Sequence, residues 1–205
     1  MLFDKQLSDA GNYVEWLRLT IHERELPANN RVRASGACLA IAQDHHHAIV
    51  LLMDEHLYAS SFALLRIAFE AYVRGEWLAL CATDIEVAKF LKGCEPPKIN
   101  CLLKDLERAP AFMEQTLSHI KERTWKTMCS YTHTGGMHVQ WWNTAEAIEP
   151  NYSDEELLNV LRFAETIGSL SVLAIVTLMN DEHPAEQVLD KFKKRIGDKL
   201  RLCHH

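Results

Sequence analysis

Apolar residues recur along this chain with the three-to-four-residue period of helices, and no segment alternates convincingly with the period of two that a half-buried strand requires. Leu7, Val14, Leu17 and Ile21 predict a first amphipathic, peripheral helix over residues 4–24, broken by Pro27, Asn29 and Asn30. A long helix follows over 31–57, with Cys38, Ile41, Ile49, Leu52 and Leu57 among its apolar positions. Residues 61–81 have helical length, contain no proline and are apolar on almost every side, which is the pattern of a buried helix. The short connection at 57–60 forces this helix to lie antiparallel beside the preceding one.

Thr83 with Glu86, and Ser153 with Glu156, are capping boxes that start new helices. The first carries Val87, Phe90 and Leu91 inward and stops at Gly93, Pro96 and Pro97. A short helix over 99–106 turns Leu102, Leu103 and Leu106 inward. Pro110 opens a helix through Phe112, Leu117, Ile120, Trp125 and Met128 to about Tyr131, ended by left-handed glycine at Gly135–Gly136. Residues 143–152 form a loop. The helix begun at Ser153 runs to 178, is free of charge over 166–179 and should pack beside the central helix. Pro184 opens a final amphipathic helix to about 200, whose run Lys191, Lys193, Lys194 and Arg195 reads as a solvated, dipole-complementing end. The expectation is an all-α, single-domain helical bundle over 1–205, with about seven to eight helices around a buried central helix at about 60–82. Residues 1–27 and 181–203 would be peripheral.

Charge is conspicuous where the pattern is most apolar. Arg66, Glu70 and Arg74 are spaced by four along the central helix, and Ala63 and Trp77 fall within the same arc. Buried charges must be paired, and one glutamate between two arginines leaves the row one positive charge in excess. The missing anion is either an acidic side chain from another helix or a carboxylate or phosphate ligand gripped by the guanidinium forks. Asp44, His47 and Asp54 share a face of the second helix. That face reads as solvated, as a partner for Arg66 and Arg74, or as part of a metal site with Glu70 and His133. The Glu-x-x-His spacing of carboxylate-bridged di-metal bundles is absent, and no metal or other cofactor is expected.

The chain has 205 residues, 48% of them hydrophobic, ample for one continuous core. No run of eighteen uncharged apolar residues exists and no signal pattern opens the chain, so neither a membrane span nor secretion is expected. Six cysteines without a CxxC read as free, mostly buried thiols of a reducing, cytoplasmic protein. A net charge of −6 argues against a broad footprint on DNA but leaves local basic patches open. Eleven histidines are numerous, although His204 and His205 carry no functional weight.

The most distinctive local motif is Tyr131, Thr132, His133, Thr134, Gly135, Gly136, Met137, His138. Two histidines flank a glycine turn whose backbone can approach a ligand, with Tyr131, Trp141 and Trp142 supplying aromatic surface nearby. An equal alternative is a helix C-cap with a histidine favoured by the dipole and a tryptophan plug.

The Arg66–Glu70–Arg74 helix followed about sixty residues later by this histidine-glycine turn resembles uncharacterised bacterial helical proteins. More loosely, over residues 40–140, it resembles the HEPN superfamily of toxins, abortive-infection proteins and metal-independent ribonucleases. That resemblance implies a histidine working with a 2′-hydroxyl and an arginine steadying the scissile phosphate. His133 takes the histidine position. The basic residue upstream is Lys126, with six residues between, and lysine lacks the planar two-point grip of arginine. Arg66 or Arg74 would then supply the grip in space. The resemblance thus implies a toxin-like or defence ribonuclease or nucleotide-binding protein, with RNA or a nucleotide as partner. Its pocket would lie between the Arg66/Glu70/Arg74 helix and the His133 turn, with Tyr131, Lys126, His138, Trp141, Asp44 and His47 around it. The alternative is a non-enzymatic helical homodimer or interaction protein in which the Arg–Glu–Arg row is a structural ion network.

Overall fold

Short polar side chains set the helix starts. The Asn29 side chain accepts the backbone N–H of Val32, so the second helix begins at Asn30. Both capping boxes form as their sequences predict: Thr83 and Glu86 cap each other's backbone N–H, as do Ser153 and Glu156. The computed structural model describes residues 2–112, 114–179 and 182–202. Cys203, His204 and His205 lie outside them.

Among the described residues the chain is all-α, in nine helices: α1 (Leu2–Ile21), α2 (Asn30–Asp54), α3 (Tyr58–Leu80), α4 (Asp84–Leu91), α5 (Ile99–Leu106), α6 (Thr116–Thr132), α7 (Gly136–Gln140), α8 (Asp154–Leu178) and α9 (Glu182–Leu202). A 3₁₀ turn spans Pro110–Phe112. The α2–α3 hairpin is the most extensively packed pair. Gly75 permits this, because a Cβ there would stand 2.6 Å from Leu39 Cγ. Ser61 Oγ donates to the Ile49 carbonyl across the pair at 3.2 Å.

Helix α3 is the buried centre that its composition predicts, touching α2, α5, α6 and α8. Phe62, Phe69, Val73 and Leu78 are fully buried on it. Helix α8 does pack beside α3, but it packs more extensively on α2, where Gly168 faces the buried His46 ring. By length and composition α8 is apolar enough to cross a membrane, yet most of its apolar stretch is packed inside this fold. Helix α1 buries Phe3, Leu7, Ala10 and Val14, and a second cluster of Tyr13, Leu17, Val172, Val176 and Val188 joins α1, α8 and α9.

Four expectations are corrected. The helix predicted from Pro110 is interrupted: Gln115 takes a left-handed φ of 54°, and α6 starts only at Thr116. The cap comes from elsewhere in the chain. The Glu107 carboxylate, at the end of α5, accepts Ser118 N–H and Oγ–H at 2.8 Å each, satisfying donors the α6 start leaves open. At the other end, the left-handed residue is Thr134, φ 52°, not a glycine. Gly135 has φ −69° and begins α7; it is small because a Cβ would meet Ser130 Oγ at 2.6 Å and Ser130 Cα at 3.1 Å. The basic run of α9 is not simply solvated. Lys191 Nζ lies 3.8 Å above the Trp16 ring, and Arg195 pairs with buried Glu165 and covers Tyr13 at 4.7 Å. Lastly, of the cysteines, Cys38 is buried and Cys81 and Cys129 are half-buried, but Cys94 and Cys101 are exposed; all five are free.

Candidate anion-binding site

The spacing of four along α3 does locally what the sequence implies. Arg66 Nε donates to Glu70 Oε1 at 2.8 Å and Arg74 donates to Glu70 Oε2 at 2.9 Å. One carboxylate bridges two guanidinium groups. The side chains are 24%, 15% and 38% exposed, so the row lies at an edge of the core and neither in it nor on open surface.

Helix α6 completes the arrangement. Thr132 Oγ lies 3.3 Å from the Ala63 carbonyl and 2.9 Å from the Met128 carbonyl, within donor reach of both, so it ties the last turn of α6 to α3. This tie brings His133, the C-cap of α6, to the row: Arg66 donates to His133 Nε2 at 2.8 Å. A guanidinium can only donate, so Nε2 accepts and the ring proton sits on Nδ1. His133 itself is exposed and open to a ligand. One turn apart on α6, Lys121 and Trp125 face the same place. The Arg66 guanidinium is 4.7 Å and Lys121 Nζ 4.9 Å from the centre of the Trp125 ring, which holds both cations by its negative π-face.

Arg66, Glu70, Arg74, Lys121 and Trp125, though not His133, line a cavity of about 390 Å³ between α3, α6 and the segment 95–100, so it opens beside Lys121 and Trp125 and not at the His133 turn. Its lining carries four cations, Arg66, Arg74, Lys98 and Lys121, against two carboxylates, Glu70 and Glu95. Positive charge is thereby concentrated on a chain whose net charge is −6. The excess positive charge of the row is not met by the second helix. Asp44 and Asp54 are exposed and form no ion pair with it, and His47 is within electrostatic reach of Glu15 of α1 instead. Asp44, His47, Glu70 and His133 therefore do not converge, and among the described residues no group of three or more His, Cys, Asp or Glu side chains is placed to hold a metal.

The remaining residues expected around the pocket lie elsewhere. Lys126 is exposed and outside the lining, because it sits on α6 one residue past Trp125 and so points about 100° away. His138 is buried in an aromatic cluster. Its Nε2 accepts from the Tyr152 hydroxyl at 2.9 Å, and that oxygen in turn accepts Trp142 Nε1–H at 2.8 Å. Burial holds the His138 pKa below the ordinary histidine value, so this ring is a neutral structural link. Tyr131 and Trp141 line a different cavity, between α6 and α8. Sequence reasoning missed Lys98, Lys121 and Trp125. The i, i+4 placement of a lysine and a tryptophan on α6 was the available signal, but nothing local says that this face meets the arginine row.

Fold and site together define an all-α bundle with a cation-lined cavity between its central helix and α6. The chain belongs to a family of unknown function, DUF6988, which matches residues 39–201 and so takes in every residue of the cavity. No curated protein and no solved structure matches the chain.

Proposed function

We propose that the cavity binds the phosphate of RNA or of a nucleotide, and that this HEPN-like bacterial protein cleaves RNA without a metal ion. The observation that carries the reading is the 2.8 Å contact between Arg66 and His133 at the edge of a cation-lined cavity. A phosphate grip and a base are thereby adjacent although 67 residues separate them in sequence.

In this reading a phosphodiester sits on Arg66 and Arg74, drawing Arg66 from Nε2 of His133 and freeing that lone pair. The 2′-hydroxyl attacks phosphorus while its proton passes to Nε2. The 2′-O–P bond forms, the 5′-O–P bond breaks, and the leaving 5′-oxygen takes a proton from the Lys121 ammonium, giving a 2′,3′-cyclic phosphate. Glu70 holds the two guanidinium forks in register, and the cations offset the charge that develops on the phosphoryl oxygens.

The test is a 5′-labelled single-stranded RNA incubated in the presence of a chelator. Cleavage to a cyclic phosphate is expected, with a loss on the order of 10²–10⁴ in rate for His133→Ala. Absence of cleavage by the wild type, or full activity in the variant, sinks the assignment.

The bridging geometry of Glu70 favours a second reading, in which the row is an ion network fixing helix register in a non-enzymatic homodimer. Arg66→Ala would then lower stability by about 1.5–3 kcal/mol, the range of one charge-assisted hydrogen bond, since Glu70 keeps Arg74. Phosphate would give no protection against unfolding.

A further inference from the structure

Helix α6 has a second functional face. While Lys121 and Trp125 turn toward the cationic cavity, Thr127, Met128 and Tyr131 line another, open cavity of about 370 Å³, together with Trp141 and with Val160 and Phe163 of α8. Its size lies at the lower end of small-molecule sites, and aromatic faces and methionines that adapt to shape share its walls with Arg123, Thr124, Thr127, Glu156 and Asn159. The Tyr131 and Trp141 rings stand 5.5 Å apart at 33°, and both belong to its lining.

The polar group that matters is the Tyr131 hydroxyl. Tyr131 is 8% exposed as a residue, and its hydroxyl, which makes no hydrogen bond to a described residue, is not one of the polar atoms sealed from solvent and so opens on the cavity. A tyrosine hydroxyl normally finds a partner, in the protein or in water. This one lies within electrostatic reach of Glu156, another residue of the cavity wall. Burial and the Glu156 charge both push its pKa up, so the phenol keeps its proton and is a donor awaiting an acceptor. Arg123 and Glu156 offset each other in the lining, so a charged ligand finds no net attraction.

We infer that this cavity is a binding site for a planar, uncharged heteroaromatic molecule whose ring carbonyl or ring nitrogen accepts the Tyr131 hydroxyl proton. Trp141 and Phe163 supply the apolar walls, and Thr127 lies among the residues of the lining. The site is separate from the cationic cavity and stands whether or not that cavity acts on RNA.

The test uses three probes with the full chain: quinolin-2-one, which has the carbonyl; indole, which has a ring but no such acceptor; and 2-naphthoate, which is charged. Saturation-transfer NMR and titration calorimetry should detect quinolin-2-one most strongly. Tyr131→Phe should weaken quinolin-2-one by about two- to tenfold, the range of one neutral hydrogen bond, and leave indole unchanged. Because that variant removes no intramolecular hydrogen bond, it should unfold at the wild-type temperature. Thr127→Trp, which fills the space, should abolish binding of both. The inference is overturned if quinolin-2-one shows no transfer, if 2-naphthoate binds more tightly than quinolin-2-one, or if Tyr131→Phe leaves quinolin-2-one affinity unchanged.

Discussion

Glu76 offers the sharpest test of how the core of this protein handles charge. It stands on α3 one turn after Tyr72, whose hydroxyl lies near its carboxyl, and burial pushes its pKa up to about 7. The nearby Tyr72 hydroxyl works in the opposite direction but does not offset the burial. In the unfolded chain the same carboxyl titrates near 4.5. The folded state therefore holds the proton more tightly than the unfolded state, and the stability this confers is complete below about pH 4.5 and lost as pH rises through 7. Between two and three units at 1.36 kcal/mol each give about 3 kcal/mol, an upper value because the side chain is not fully closed to water. Glu76→Gln removes the titration and keeps an oxygen for Tyr72. The variant should match the wild type at pH 4.5 and be more stable by about 1–3 kcal/mol at pH 8, measured by urea unfolding across that range. His45 and His138, whose pKa values burial holds down, lose stability as pH falls through 6.5, a slope of the opposite sign. They are common to both proteins and cancel in the difference. A difference that stays flat with pH, or a variant less stable at pH 8, would refute the reasoning.

Two further perturbations address the joints of the fold. Gly168→Ala places a Cβ 2.1 Å from His46 Nδ1, and since His46 is fully buried the α2–α8 contact must open; a loss of about 1–3 kcal/mol is expected in thermal or urea unfolding. An unchanged midpoint would show that the histidine ring moves freely. Arg195→Ala withdraws a guanidinium from Glu165, whose side chain is 5% exposed, and should cost about 2–4 kcal/mol, with Glu165→Gln in the same chain recovering part of it. A loss under about 0.5 kcal/mol would mean that α9 contributes little there.

The two cavities on α6 bear on one another through the helix itself. Tyr131 and His133 lie two residues apart at its end, Tyr131 in the lining of the apolar cavity and His133 against Arg66, because successive helical positions turn by about 100°. The pin from Thr132 to the Ala63 carbonyl stands between them. Helix α6 is thus the element that both cavities share.

Much of this architecture is local and so was readable from residue order. The two capping boxes, the apolar centre at α3, the long α8 and the antiparallel α2–α3 pair follow from side-chain period, caps and a short connection, each confined to a few neighbouring residues. The pairing of Arg66 and Arg74 with Glu70 is equally local, one helical turn each way. What tertiary structure alone decided is what each face meets. Periodicity says that a face is buried or half-buried; it does not say which helix covers it. Lys121 and Trp125 reached the arginine row, Lys191 and Arg195 settled on Trp16 and Tyr13, and His138 turned into an aromatic cluster, all through packing between segments far apart in sequence. Glu107 capping α6 belongs to the same class, since its partner Ser118 lies beyond a chain reversal that no local pattern encodes. The charge row was written in the sequence, and the cavity beside it was made by the rotation and placement of α6.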